Sequence, residues 1–372
     1  MSIPKKSFWR EIERPIKVLA PMAGYTDSAF RLICRSFGAD VVMTELISAD
    51  AVAYGKFEIR SSTSSDRPEQ QSNGRNQKNQ TNSKSEILNS KQNKIIVESR
   101  KNVSTAELLS FCEAEKPLVV QLFGKHPEKF AIAAKWITEN LKPDGIDINM
   151  GCPARKVVGS DHGAALLKNP ELAFEIVKAV KENTNLPVSV KTRLGWDNDD
   201  QILEFAPKMI SAGAEALIVH GRTYKDAFSG AARWENIYRL KKILGDKAVV
   251  IGNGDIQRII SNDKFLISNK ITKFKIQNSK FSLDGVAIGR AAFGKPWIFS
   301  ENTDNSIQIK ALKETILQHA RLAFEDKGAK GIIEFRKHLL TYLKGFPNSK
   351  ALRVEAVKIG NLSDIEQILL NI

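Results

Sequence analysis

Cysteine is scarce in this chain. Three occur among 372 residues, Cys34, Cys112 and Cys152, and none forms a C-x-x-C pair. That spacing excludes a disulfide framework and a structural zinc site, no metal is expected, and a reducing compartment, the cytoplasm, is the expected location. Long apolar runs are missing too. No window reaches the roughly twenty apolar residues of a membrane span, and the segment Met1 to Arg14 is charged without an apolar leader core, so a soluble, untargeted protein is expected. Acids are in deficit, 42 against 56 bases, leaving a net charge of +14. Such an excess favours a polyanionic partner, nucleic acid ahead of an anionic membrane. The first strand–turn–helix segment lacks G-x-G-x-x-G, which disfavours a dinucleotide-binding open sheet.

What is present is an alternation of short apolar strands and amphipathic helices. Strands are expected to begin near Lys17, Ala39, Pro117, Gly145, Leu186, Ala214, Lys247 and Asp284, with helical connections between most of them. Eight such units predict an α/β fold of the (β/α)8 TIM-barrel class. Two stretches break the rhythm. Residues 57–104 are rich in Ser, Asn, Gln and Lys and poor in apolar anchors, so a disordered insertion is expected there. Residues 262–282 are longer and more Lys- and Asn-rich than a crossover needs, a second partly ordered insertion. Beyond about Asp304 strands cease, and helices are expected over 307–324, 332–344 and 351–359. The expected domains are therefore a barrel over 1–303 and a small all-helical domain over 304–372. Between Arg336 and Lys358 six bases face one acid, a composition suited to phosphates.

Polar residues collect where strands end, the ligand-binding rim of a parallel barrel. Asp144-Gly-Ile-Asp-Ile-Asn-Met-Gly-Cys-Pro-Ala-Arg-Lys156 runs from a strand into a loop that Gly151 and Pro153 shape around Cys152, with Arg155 and Lys156 close behind. An electropositive, exposed thiol suits proton transfer, whereas Cys34 and Cys112 read as small packing residues. Lys191 and Arg193 end one strand, His220 another, and glycine-rich turns, Asn253-Gly-Asp255 and Gly289-Arg290, follow the last two, a pattern that predicts a phosphate site. Pro21 to Gly24 offers small residues that let a flat ring approach. Gln121 lies in an apolar strand and needs a hydrogen-bond partner, which a ligand would supply.

Laid side by side, Pro21-Met-Ala-Gly24, Gly151-Cys-Pro-Ala154, Gly221-Arg222, Asn253-Gly-Asp255 and Gly289-Arg290 resemble the tRNA-dihydrouridine synthases, nearest the bacterial type. Arg336-Lys-His338 with Tyr342-Leu-Lys-Gly-Phe346 looks like that family's C-terminal helical domain. The resemblance implies a flavin mononucleotide (FMN) barrel that reduces selected tRNA uridines to 5,6-dihydrouridine, with NADPH, or NADH, as reductant. It implies hydride delivery from the flavin to uracil C6 and proton delivery from Cys152 to C5. By the same carry-over Pro21, Met22, Ala23, Gln121 and Lys191 line the flavin ring, while His220, Asn253, Gly254, Asp255, Gly289 and Arg290 hold its ribityl and phosphate groups. Asn149, Arg193 and Lys156 are then assigned to the RNA substrate at the barrel, and Arg336 and Lys337 to tRNA on the helical domain. No membrane and no obligate protein partner is expected. A barrel acting on a small pyrimidine is the competing enzyme class, and an RNA-binding chaperone that has lost turnover is the non-enzymatic one. Reduction of a C5–C6 double bond needs a cofactor hydride, since no side chain donates one.

Overall fold

The computed structural model describes residues 7–62, 93–256, 283–300 and 307–372. Eight parallel strands, β1 (Ile16–Leu19), β2 (Val41–Met43), β3 (Leu118–Phe123), β4 (Gly145–Met150), β5 (Val188–Arg193), β6 (Ala216–His220), β7 (Val249–Asn253) and β8 (Gly285–Ile288), pair in sequence order. The pairing of Ile16 with Gly285 closes the ring, so the expected TIM barrel is present. Every expected strand start falls within two residues of an observed one.

Side-chain alternation decides what the barrel encloses. At its N-terminal end Ile16, Val18, Val41, Val119, Ala216, Ile218, Val249 and Ile251 form an apolar core, which Trp9 of the short helix Phe8–Glu11 plugs, itself fully buried. On β3, β4 and β5 the inward positions turn polar toward the C-terminal end: Gln121, Asp147 and Ser189 lie in register, followed by Asn149 beside Lys191. A barrel built only for stability would continue the apolar filling, so this polar layer marks the working end.

The outer helices start where their residues provide caps. Asp27 accepts from Phe30 N at 2.9 Å to open Ser28–Ser36, and Asn169 with Pro170 opens Pro170–Glu182. A buried ion pair joins the helix Ser28–Ser36 to the turn Glu113–Glu115: Arg31 Nε stands 2.5 Å from the Glu115 carboxylate, to which Ser28 Oγ also donates. Removing one partner strands the other charge in the interior. Glu115→Leu is therefore expected to cost about 3–5 kcal/mol, measured as a lowered urea midpoint with unchanged slope.

The expected disordered insertion needs a correction at both arms. Glu58–Ser62 and Lys94–Glu98 pair antiparallel, Phe111–Cys112 adds a third strand, and Val103–Leu109 is a helix. The β-branched run Ile95-Ile-Val97 supplies the anchors that the polar average of the segment hides, with Val97 buried. Residues 63–92, and the second expected insertion at 262–282, lie outside the described residues, as does the expected domain boundary at 303–304.

The C-terminal helices are Ile309–Lys327, Ala329–Tyr342, Ser349–Ala356 and Leu362–Leu370, the last absent from the sequence expectation. Its start is an Asn361–Asp364 capping box. The apolar spacing Ile332, Phe335, Leu339, Tyr342 and Phe346 predicts one buried stripe; the first four are buried, Phe346 is half-buried, and the stripe shares one core with Ala29, Leu32 and Ile33 of the helix Ser28–Ser36. At this junction Asp27, His319 and His338 bring ligand-type atoms within 4.8 Å of one another. Lys337 Nζ stands 3.3 Å from the Asp27 carboxylate, and His338 Nε2 stands 3.5 Å from it. Burial works against the Asp27 charge, yet these neighbours hold its pKa below the usual carboxylate range, so the cluster ties the helices to the barrel. Two side chains expected to meet RNA have partners within the protein. Arg336 spends its guanidinium on the Ile359 carbonyl, closing the helix pair, and Lys337 is turned toward Asp27 and the Tyr25 ring. Lys344 and Lys358 remain exposed.

Candidate active site

A cavity of about 610 Å³ opens at the C-terminal end of the barrel. Of the residues singled out from sequence, Pro21, Met22, Ala23, Asn149, Cys152, Lys191, Arg193, His220, Asn253, Gly254, Asp255, Gly289 and Arg290 line it. Gln121, Lys156, Arg336 and Lys337 do not. Lys156 is exposed on the short helix Arg155–Val158, outside the cavity, and Gln121 is fully buried beneath the floor.

Cys152 sits half-buried on the loop that leaves β4. Asn149 holds that loop: its Oδ1 accepts from Gly151 N at 3.2 Å and from Cys152 N at 2.9 Å, while its Nδ2 donates to Gln121 at 2.9 Å. The side chain expected to meet a substrate thus has both oxygen lone pairs committed and one N–H left over. Gly163, at a φ of +61°, passes close behind, where a Cβ would meet the Cys152 carbonyl at 3.0 Å.

Lys191 and Arg193 of β5 stand close enough to Cys152 for its charge to raise their pKa values, against the larger effect of burial. Burial, with Arg193 next to it, brings the Lys191 pKa down to about 8, and its Nζ lies 3.3 Å from Asn253 Oδ1. Burial likewise lowers Arg193 to about 10. Arg193 is only 3% exposed and ties three carbonyls together: Gly151 through Nε at 2.8 Å, and Thr223 and Ala227 through one terminal nitrogen at 2.9 Å each. It is a loop clamp before it is a substrate contact.

On the opposite wall the backbone comes close to the cavity. Gly254 has a φ of +112°, and a Cβ there would stand 3.0 Å from Ala232 and 3.3 Å from His220. Asp255, also left-handed at φ 52°, is pinned by both oxygens to Arg222 at 2.8 and 2.9 Å and by Ala232 N. It therefore shapes the turn and does not offer a free carboxylate. His220 Nδ1 is buried with no hydrogen-bond partner. Burial, then Lys191, Arg193, Arg222 and Arg290, press its pKa down to about 2, so the ring is neutral. Because the folded ring refuses a proton that the unfolded chain accepts near 6.5, stability present above that pH is lost as pH falls. Unfolding should take up fewer protons in His220→Asn than in the parent, by about half a proton at pH 6.5 and about one at pH 5, read from urea midpoints against pH.

Sequence reasoning missed Phe228, which lines the cavity although 55% exposed. Arg290 covers its ring at 4.5 Å and Arg193 approaches at 5.6 Å. It lies in a long loop with no local period, so only three-dimensional placement reveals it. Tyr25, stacked on Phe293 at 4.2 Å, closes the side toward the helical unit.

The family model described as "Dihydrouridine synthase (Dus)" matches residues 18–371. The "Probable tRNA-dihydrouridine synthase" of Aquifex aeolicus is 31% identical over 355 residues, 94% of this chain and 93% of that protein. The "tRNA-dihydrouridine synthase B" of Pseudomonas syringae pv. tomato is 32% identical over 346 residues, 90% of this chain and 85% of that one.

Proposed function

From the premise that the chain belongs to the dihydrouridine synthase family, we propose that it is a tRNA-dihydrouridine synthase, an oxidoreductase that reduces specific tRNA uridines, with FMN as its cofactor and NADPH as reductant. The observation that carries the reading is a half-buried Cys152 that lines one cavity with the cations Lys191 and Arg193, the close-approach backbone of Gly254 and an unpartnered buried His220 Nδ1.

The residues suit FMN. In this reading Pro21 to Ala23 and Lys191 would take the ring system, and His220, Asn253, Gly254, Gly289 and Arg290 the ribityl chain and phosphate; all of them line the cavity. His220 offers a buried nitrogen in need of a partner, the glycine turn leaves room for a ligand to touch backbone, and Arg290 is exposed with its charge available to a phosphate. FMN, when bound, supplies the hydride that uracil C6 must receive.

The chain's own part is the proton. The Cys152 S–H donates to C5, the C5–H bond forms as the S–H bond breaks, and the resulting thiolate is stabilised by the Lys191 and Arg193 cations. Asn149 and Arg193 keep the thiol's loop fixed from two sides. A uridine inside folded RNA must be extruded to reach a barrel mouth, and the exposed bases of the helical unit, Lys344 and Lys358 among them, suit the flanking phosphates. No helix among the described residues is long and apolar enough to cross a membrane.

The test is spectroscopic. The purified chain is expected to be yellow, to bleach with NADPH without oxygen, and to regain colour with unmodified tRNA but not with free uracil or orotate. Recolouring by a small pyrimidine alone would favour the competing enzyme class, and a colourless chain that binds tRNA would favour the non-enzymatic one.

A further inference from the structure

Asp147 is buried to 0% exposure in the middle of the barrel, and the chemistry above does not use it. Among the described residues no ion pair is formed with it; its Oδ1 accepts from Ser189 Oγ at 2.6 Å and its Oδ2 from Gln121 Nε2 at 2.7 Å. Burial pushes its pKa up to about 7, against the hydrogen bonds from Ser189 and Gln121 and the charge of Lys191, which acts on it without an ion-pair contact. A buried carboxylate without a cation in contact is a net cost to stability, and an apolar residue would fill the layer more cheaply. Its place in the fold therefore calls for a role other than holding the barrel together.

The hydrogen bonds leading away from it form one directional chain. Asp147 receives Gln121 Nε2; Gln121 Oε1 receives Asn149 Nδ2; Asn149 Oδ1 receives the N–H groups of Gly151 and Cys152. The direction of the two amides is fixed without reference to how their oxygen and nitrogen are assigned. Backbone N–H groups at the loop end only donate, so Asn149 must present oxygen to them and nitrogen to Gln121, and Gln121 must present nitrogen to residue 147. The chain closes only if position 147 offers an acceptor. We propose that Asp147 is a positioning residue for Cys152, acting through Gln121 and Asn149 to hold the thiol-bearing loop in a single orientation. This deepens the proposed function, since the loop it sets carries the proton donor.

The relay makes a specific distinction between two replacements of similar size. In Asp147→Asn the amide carbonyl still accepts from Gln121, and its NH2 donates to Ser189 Oγ once that hydroxyl turns, so the direction of the chain survives. In Asp147→Leu the Gln121 Nε2 loses its acceptor, its amide is released, and Asn149 loses its fixed partner. A packing role for Asp147 makes no such distinction. The same argument explains why a carboxyl titrating near neutrality is tolerated there: a proton on Oδ1, facing Ser189, leaves Oδ2 free to accept.

The experiment is hydrogen–deuterium exchange of the full-length, flavin-loaded chain, read on the peptide holding Gly151 and Cys152, with Val249–Asn253 as an internal reference for global opening. In Asp147→Leu, exchange of the loop peptide is expected to quicken by about tenfold, the worth of one such hydrogen bond, while the reference strand is unchanged. In Asp147→Asn it stays near the parental rate. Prereduced enzyme is then mixed with tRNA in a single turnover: the Leu variant slows, the Asn variant does not, and reduction by NADPH is the same in both. Asp147→Val, a strand former, replaces the Leu variant if that protein does not accumulate. Parental protection in the Leu or Val variant, or equal loss of protection in the Asn variant, overturns the relay. The exchange result stands apart from the proposed chemistry: loss of protection in a chain that makes no dihydrouridine would keep the relay and remove the function.

Discussion

Cys152→Ala is expected to bind FMN and to be reduced by NADPH as the parent is, yet to be reoxidised by tRNA about a hundredfold to ten-thousandfold more slowly. The two half-reactions separate because only the second requires a proton at the substrate's C5. The thiol is the group at the cavity wall with both exposure and cationic neighbours, Lys191 and Arg193. The remaining cysteines make internal controls. Cys34 is buried and burial raises its pKa well above the usual range, while burial pushes Cys112 up to about 12. Neither lines the cavity. Alanine at either should leave tRNA reoxidation at the parental rate, and an undiminished rate in Cys152→Ala would assign the proton to another group.

Arg193→Lys is expected to behave as a severe change despite keeping the charge. The guanidinium reaches three carbonyls on two different loops at once, Gly151 on one side and Thr223 and Ala227 on the other. A lysine has neither the planar fork nor the span to replace that set. Two lost charge-assisted hydrogen bonds in a site 3% exposed should cost about 3 kcal/mol, seen as a lower urea midpoint. The loss also frees the cysteine loop and the Phe228 loop from each other, so single-turnover tRNA reduction should fall by about tenfold or more. A variant of full stability and full activity would show that the clamp is incidental.

Much of the site was legible in the sequence because strand ends are legible. Once Lys191, Arg193, His220 and Asn253 are recognised as the last inward residues of their strands, the alternation of a strand places them at one rim. What the sequence concealed were partners distant along the chain. Gln121 was rightly seen as a buried amide in need of a bond, but its acceptor is Asp147 on the neighbouring strand, a pairing fixed by sheet register and not by local pattern. Arg336 is legible as a base in a basic stretch, but its carbonyl partner, Ile359, becomes a neighbour only when two helices pack. The arms of the polar insertion were hidden by averaging: Ile95, Ile96 and Val97 are a strand's worth of β-branched residues inside a segment whose composition points to disorder.

The central claim is that this chain makes dihydrouridine in tRNA with Cys152 as proton donor. The most direct measurement is mass-spectrometric mapping of tRNA from a host strain lacking its own synthases and expressing either this chain or its Cys152→Ala variant. Reduction of a uracil adds two hydrogens, so a gain of about 2 Da at defined uridines is expected with the parent chain and near-absence of it with the variant. Unmodified tRNA from the strain expressing the parent chain as a soluble, flavin-loaded protein would contradict the account.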